Sequence, residues 1–142
     1  MDMKTSPLST LNDPSLLKTD ALIGGEWVAG DARFDVTDPA TGLKLADVAN
    51  LGAEAAETAI AAANRAWPAW RNKTAKERAA ILMKWFNLLH ANADDLARIM
   101  TAEQGKPLAE AKGEVGYAAS FIEWFAEEAK RVYGETIPTT DN

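Results

Sequence analysis

At Gly52 the spacing of apolar residues changes from about two to about 3.6 positions, the repeats that place side chains on one face of a strand and of a helix. No single regular element satisfies both repeats. The chain must therefore hold strands before this point and helices after it. The expected fold is α+β, with short N-terminal strands followed by about four helices.

Upstream of the switch, Ala21-Leu22-Ile23-Gly24-Gly25-Glu26-Trp27-Val28 reads as two strands about a Gly-Gly turn, because glycine supplies the positive φ that a tight hairpin needs. Phe34-Asp35-Val36-Thr37 alternates apolar and polar residues. Asp38-Pro39-Ala40-Thr41-Gly42 reads as a turn, with Pro39 fixing φ and Asp38 able to bond the backbone ahead of it. Leu43 to Ala49 alternates again, with an imperfection at Ala46.

Downstream, Ala56, Ile60, Ala63 and Trp67 fall on one helical stripe, and Pro68 is expected to end that helix. Thr74-Ala75-Lys76-Glu77 is a capping-box pattern. It opens a helix with Arg78 exposed and Ile81, Leu82, Trp85, Phe86 and Leu89 inward. Asn92 is expected to cap a third helix carrying Leu96, Ile99 and Met100, which Gly105 stops; Pro107 suits the first turn of a fourth. In that fourth helix Leu108, Ala111, Val115, Ala118, Ile122, Phe125, Ala129 and Val132 recur at helical spacing, and Gly134 and Pro138 close it. Gly113 and Gly116 within it each cost about 1 kcal/mol relative to alanine, which points to a close neighbour there. Trp67, Trp70 and Trp85 are expected where helices meet.

Several function classes fall away on composition. The chain is 47% hydrophobic and 25% charged, as ordinary globular proteins are. With net charge -6 and scattered Lys and Arg, it offers no surface to a nucleic-acid backbone. It contains no cysteine, so disulfides, thiolate metal sites and a thiolate nucleophile are excluded within these residues. No apolar stretch reaches the length of a membrane span. Met1 to Asp20, with Lys4, Pro7, Pro14 and Lys18, shows no signal-peptide pattern and reads as a flexible arm, residues 1–20, of a cytoplasmic protein. The glycines form neither GxGxxG nor a P-loop, and Gly113-Glu114-Val115-Gly116 falls mid-helix, so no nucleotide cradle is expected. His90, the only histidine, suits a helix end, and Asp94-Asp95 and Glu127-Glu128 read as solvated faces.

The fourth helix is unusual. A core-facing stripe spans about 100°, and Phe121 and Trp124 lie outside the one centred on Val115, Ala118 and Ile122. With Tyr117 and Phe125 they make a broad aromatic surface. Such a helix is buried on two sides, or it faces a partner or a channel.

The run Met100-Thr101-Ala102-Glu103-Gln104-Gly105-Lys106-Pro107-Leu108-Ala109-Glu110-Ala111 resembles the aldehyde dehydrogenase superfamily, most nearly its succinate-semialdehyde dehydrogenase branch. Ile23-Gly24-Gly25-Glu26-Trp27-Val28, Asp38-Pro39-Ala40-Thr41-Gly42, Ala66-Trp67-Pro68-Ala69-Trp70-Arg71 and Tyr133-Gly134-Glu135-Thr136-Ile137-Pro138 agree in order and spacing. The resemblance covers about residues 18–138. It implies that residues 21–142 are the N-terminal portion of the cofactor-binding domain of a much longer homo-oligomeric enzyme, which oxidises a small aldehyde with NADP or NAD. In that family a cysteine thiolate attacks the carbonyl, hydride passes to the cofactor, and a glutamate activates the water that releases the acid. The resemblance puts all these groups beyond Asn142, so neither catalytic nor cofactor-binding residues are expected here, and the chain by itself should bind no cofactor and be inactive.

Two sites follow from the resemblance. The family's matching helix borders the substrate tunnel, which assigns Tyr117, Phe121 and Trp124 to the substrate entrance; the alternative is that these rings fill the core. A monovalent cation held by the Glu103 carboxylate and the carbonyls of Val36 and Thr37 is the second; the alternative is a carboxylate that only hydrates or caps a helix end. Two other functions remain open at this point. The chain could be a stand-alone helical binding module using the aromatic face, or a truncated piece that associates with full-length subunits.

Overall fold

The computed structural model describes residues 6–140. Two antiparallel hairpins, each its own two-stranded sheet, precede four helices. The first hairpin pairs β1 (Ala21–Ile23) with β2 (Glu26–Val28), Leu22 opposite Trp27. Gly24 and Gly25 adopt φ of 62° and 94°, as a two-residue loop joining twisted strands requires.

The second hairpin pairs β3 (Arg33–Thr37) with β4 (Lys44–Ala49). Asp38 builds its turn: the carboxylate accepts from the Ala40 amide at 2.8 Å and the Thr41 hydroxyl at 2.9 Å. Val36 pairs with Ala46 but Thr37 with Lys44, so Leu45 is an extra residue in a bulge. The bulge accounts for the broken alternation at Ala46: Leu45 and Ala46, although adjacent, are both half-buried.

Helix α1 (Ala53–Arg71) runs through Pro68 rather than stopping there. Pro68 lies in the last turn and forfeits one ladder bond, to the Asn64 carbonyl upstream, while its own carbonyl still accepts from Asn72 at 3.3 Å. The stripe expected to be buried, Ala56, Ile60, Ala63 and Trp67, is exposed; Ala55, Ala59 and Ala62 are the half-buried positions. Alanines of this side meet the first hairpin, since a Cβ placed on Gly24 would sit 3.6 Å from that of Ala62.

Helix α2 (Ala75–Ala91) opens with the complete capping box, Glu77 amide to Thr74 hydroxyl and Thr74 amide to Glu77 carboxylate. Arg78 is half-buried rather than exposed, and donates to the carbonyls of Arg71 and Lys73, closing the α1–α2 joint. Leu82, Phe86 and Leu89 turn inward as expected, but Ile81 and Trp85 do not; Ala79 and Met83 complete the inner face. The tryptophans expected at helix junctions divide: Trp70 is half-buried, whereas Trp67 and Trp85 are open.

Helix α3 (Ala93–Gln104) follows after Asn92, whose side chain does not cap it but donates back to the Leu88 carbonyl at 2.8 Å. Gly105, at φ 74°, ends it in the left-handed conformation. Pro107 then serves as N-cap, one place before the first turn of α4 (Leu108–Glu128). Helix α4 stops short of Val132, in turns of Lys130 and Arg131 onto the carbonyls of Glu127 and Glu128.

The core is the packing of α4 on α2 and α3. Its buried positions are small: Ala79, Ala97, Ala102, Ala111, Val115, Ala119 and Ala126. Small side chains allow close helix approach, which shifts the buried stripe of α4 away from Ala118 and Phe125, both exposed. Gly113 and Gly116 have open space where a Cβ would stand, so they mark no close contact among the described residues.

Residues 6–20, read as part of a flexible arm, are instead tied down. Two 3₁₀ turns, Pro7–Thr10 and Pro14–Leu16, lie in a segment whose Leu11 is buried and whose Asn12 and Asp13 amides bond the Asp95 carboxylate. Asp95, read with Asp94 as a solvated face, is only 4% exposed. Residues 1–5 of the expected arm lie outside the described residues.

Candidate functional site

Helix α4 carries exposed aromatic side chains beside a groove. Tyr117 and Phe121, one turn apart, meet edge-to-face with ring centres 4.9 Å apart. Tyr117 is 65% exposed, Phe121 48% and Trp124 63%, so none of the three fills the core of the described residues. Ile81 and Trp85, the α2 residues that a core role would place over this face, are exposed too.

An open groove of about 660 Å³ runs along the C-terminal half of α4, with Phe121, Trp124 and Phe125 as its apolar wall. Its rim is charged: Glu123, Glu127 and Glu128 face it with Arg131. Glu127 and Glu128, read as solvated, pair with Lys130 and Arg131 respectively. The Lys130 ammonium, donating to Glu127 at 2.9 Å, holds that carboxyl below its usual range. Tyr117 does not border the groove but extends the aromatic face beyond it. The arrangement can desolvate an apolar or aldehyde-bearing group. Its acidic rim is unsuited to holding a carboxylate, which would have to be recognised elsewhere.

Glu103 and Val36 line a second, small cavity of about 40 Å³ between β4, α3 and the N-terminal segment. Thr37 follows Val36 at the bulge but does not line the cavity. Lys18 reaches the same cavity; its ammonium also lies 5.2 Å from the centre of the Trp27 ring. Among the described residues no group of three or more His, Asp or Glu is placed to hold a metal ion.

Gly113 and Gly116 lie within α4, where their amides belong to the helical ladder, and the left-handed glycines sit in hairpins and at a helix end. His90 lies in the last turn of α2, with Phe86 edge-on at 4.5 Å, and takes no part in either cavity. No helix among the described residues is long and apolar enough to cross a membrane.

Sequence reasoning missed Asp95 and Arg33. Arg33 donates to the Asp20 carboxylate at 2.9 Å and to the carbonyls of Thr19 and Asp47 at 3.3 and 2.9 Å. Neither residue carries a local sequence signal, since their partners are set by how distant segments pack.

Residues 27–142 match the model of the aldehyde dehydrogenase family. The chain is 64% identical over 130 residues to the NADP(+) succinate-semialdehyde dehydrogenase of Escherichia coli (strain K12), covering 90% of this chain and 27% of that protein. It is 59% identical over 130 residues to 3-sulfolactaldehyde dehydrogenase of Pseudomonas putida, with the same coverage of 90% and 27%. A crystal structure of succinate-semialdehyde dehydrogenase from Burkholderia pseudomallei superposes with a TM-score of 0.89 at 64% identity, over 93% of this chain and 28% of that one. The chain thus spans about a quarter of the length of the relatives it matches, 27% and 28% in these comparisons. In sequence and in the order of hairpins and helices, the chain belongs to the aldehyde dehydrogenase family.

Proposed function

We propose that this chain is the N-terminal segment of an NAD(P)-dependent aldehyde dehydrogenase that oxidises succinate semialdehyde to succinate in the complete enzyme. The observation that carries the reading is 64% identity, over nine-tenths of the chain, to a protein of that activity. The Escherichia coli relative is named for NADP(+), which favours NADP over NAD. The described residues do not fit a dinucleotide, and the sequence has no cysteine to attack a carbonyl, so binding of cofactor and the chemical step belong to other residues. What this segment supplies is an aromatic wall. Tyr117, Phe121 and Trp124 line the substrate entrance, exclude water from the aldehyde and leave its carboxylate to groups outside the segment.

The test is a head-to-head assay of the complete enzyme with succinate semialdehyde and 3-sulfolactaldehyde, each with NADP+ and NAD+. The expected result is the highest kcat/KM for succinate semialdehyde with NADP+. A higher kcat/KM for the sulfonated aldehyde would overturn the substrate assignment, and turnover by pure residues 1–142 would overturn the division of labour. Cytoplasmic location and homo-oligomeric assembly belong to the same reading and rest on the resemblance; size-exclusion chromatography of the complete enzyme checks the second.

The Glu103 carboxylate with the carbonyls of Val36 and Thr37 forms a monovalent cation site in this reading, supported by the shared cavity of Glu103 and Val36. K+ or Na+ should raise the melting temperature of the complete enzyme relative to choline at equal ionic strength, and Glu103→Gln should abolish the difference. Identical melting in all three salts would remove the site.

A further inference from the structure

The β3–β4 hairpin makes no extensive direct contact with α2, α3 or α4. The N-terminal segment reaches both. Leu8, Leu17 and Thr19 from this segment, Leu45 and Val48 from β4, and Ile99 from α3 enclose one small cavity, so the segment forms the wall that joins sheet to helix. Both of its ends are fastened. At the helix end the Asp95 carboxylate accepts from the Asn12 amide at 3.0 Å, the Asn12 side-chain amide at 3.1 Å and the Asp13 amide at 2.7 Å. Leu11 is buried beside it, and Arg98, one turn on, donates to the Thr10 hydroxyl at 3.3 Å. At the sheet end the Ala49 amide of β4 donates to the Thr19 carbonyl at 2.8 Å, while the Arg33 guanidinium spans Asp20, Thr19 and Asp47.

We propose that residues 6–20 act as a strap that sets the position of the β3–β4 hairpin against α3, with Asp95 as its positioning residue. The chemistry of Asp95 suits that role. A buried carboxylate has acceptor sites on both oxygens and no donor, so it gathers the amides of two successive residues and fixes the direction in which the strap leaves the helix. Asparagine in its place would turn an NH2 toward one of those amides and leave a buried donor without an acceptor. The inference does not depend on the reaction assigned above.

Hydrogen exchange of the full chain, read at single amides, tests it. In Asp95→Asn the amides at positions 12 and 13 should lose protection by about tenfold or more, as expected when a buried hydrogen-bond set is broken. The loss should extend along the strap to Ala49, whose amide rests on the Thr19 carbonyl, while the interiors of α2 and α4 keep their protection. Loss confined to positions 12 and 13 overturns the strap. Equal loss through α2 and α4 also overturns it, because Asp95 would then be a general stabiliser of the fold. Should Asp95→Asn fail to fold, Asn12→Ala removes only one of the three donors. It should give the same pattern at smaller amplitude, and unaltered protection at Ala49 in that variant refutes the proposal.

Discussion

On one side of α4, Ala111, Val115, Ala119 and Ala126 lie buried against α2 and α3; on the other, Tyr117, Phe121, Trp124 and Phe125 stand open. The inner face holds the smaller side chains and the outer face the larger. Burial here follows how closely the helix axes approach, not the apolar area each residue offers. The inner face therefore carries the packing of the three helices, and the outer face is apolar surface that this packing does not use. An exposed apolar patch with a charged rim is the mark of a surface meant for something else.

The contrast breaks most sharply at Ala119, which has no exposed surface. Ala119→Leu forces added volume into an interface built for a methyl group, and should cost about 3 kcal/mol in urea unfolding. An effect below about 0.5 kcal/mol would show that the inner face is loosely packed and that the two faces do not differ as described. Gly105 comes next, because it sets the reversal by which α4 returns along α3. Its φ of 74° disfavours any Cβ, and one placed there would stand 3.0 Å from Pro39 Cγ. Gly105→Ala should cost about 1–2 kcal/mol from the backbone alone.

A third change acts at the start of α2, the other wall of the inner face. Thr74→Ala removes the hydroxyl that accepts from the Glu77 amide at 3.3 Å and donates to the Glu77 carboxylate at 2.8 Å. Loss of such a cap costs about 1 kcal/mol. The side-chain hydrogen bond from Thr74, followed by the Thr74 backbone amide, holds the Glu77 carboxyl below its usual range. Its contribution is complete above the ordinary glutamate value and fades as pH falls through the depressed one. The gap between parent and variant should thus narrow in acid without closing, because the Glu77 amide still bonds the Thr74 hydroxyl there, and a difference that stays constant down to that range would show the cap does not act through the Glu77 carboxylate.

These helix ends were legible because capping boxes, left-handed glycines and Gly-Gly hairpins leave local marks, as Thr74, Gly105 and Gly24-Gly25 do. Which face each helix buries was less so. In α4 apolar residues occupy more than one stripe, and in α1 alanines occur on several sides, so periodicity fixes a helix without fixing its rotation. In the α4 stripe Ala118 and Phe125 turned outward while Ala111, Val115 and Ile122 stayed inward, and the α1 stripe through Ala56 and Ile60 turned outward altogether. Asp95 left no mark at all. Its partners are 82 and 83 residues away in sequence, and beside Asp94 it looks like any solvated acidic pair. The aromatic excess at Tyr117, Phe121 and Trp124 was visible, but composition could not say whether it was packed; their exposure decides that for the described residues.

The smallest expected effect on stability is the one that separates the two faces most cleanly. Phe121→Ala removes a ring that is about half exposed and whose described ring contact is with Tyr117, and it introduces the better helix former. Stability should change by no more than about 0.5 kcal/mol, since no cavity opens and no buried polar group loses a partner. If the outer face lines the aldehyde's path in the complete enzyme, the same variant should raise KM for the aldehyde several-fold and leave cofactor affinity unaltered. Ala119→Leu should do the reverse, lowering stability with KM little changed in the protein that remains folded. The pair forms a crossed test, because each variant is the control for the other. A large stability loss in Phe121→Ala with unaltered KM would mean that the outer face is a packing surface in the complete enzyme. The groove along Phe121, Trp124 and Phe125 would then be filled by protein and not by substrate.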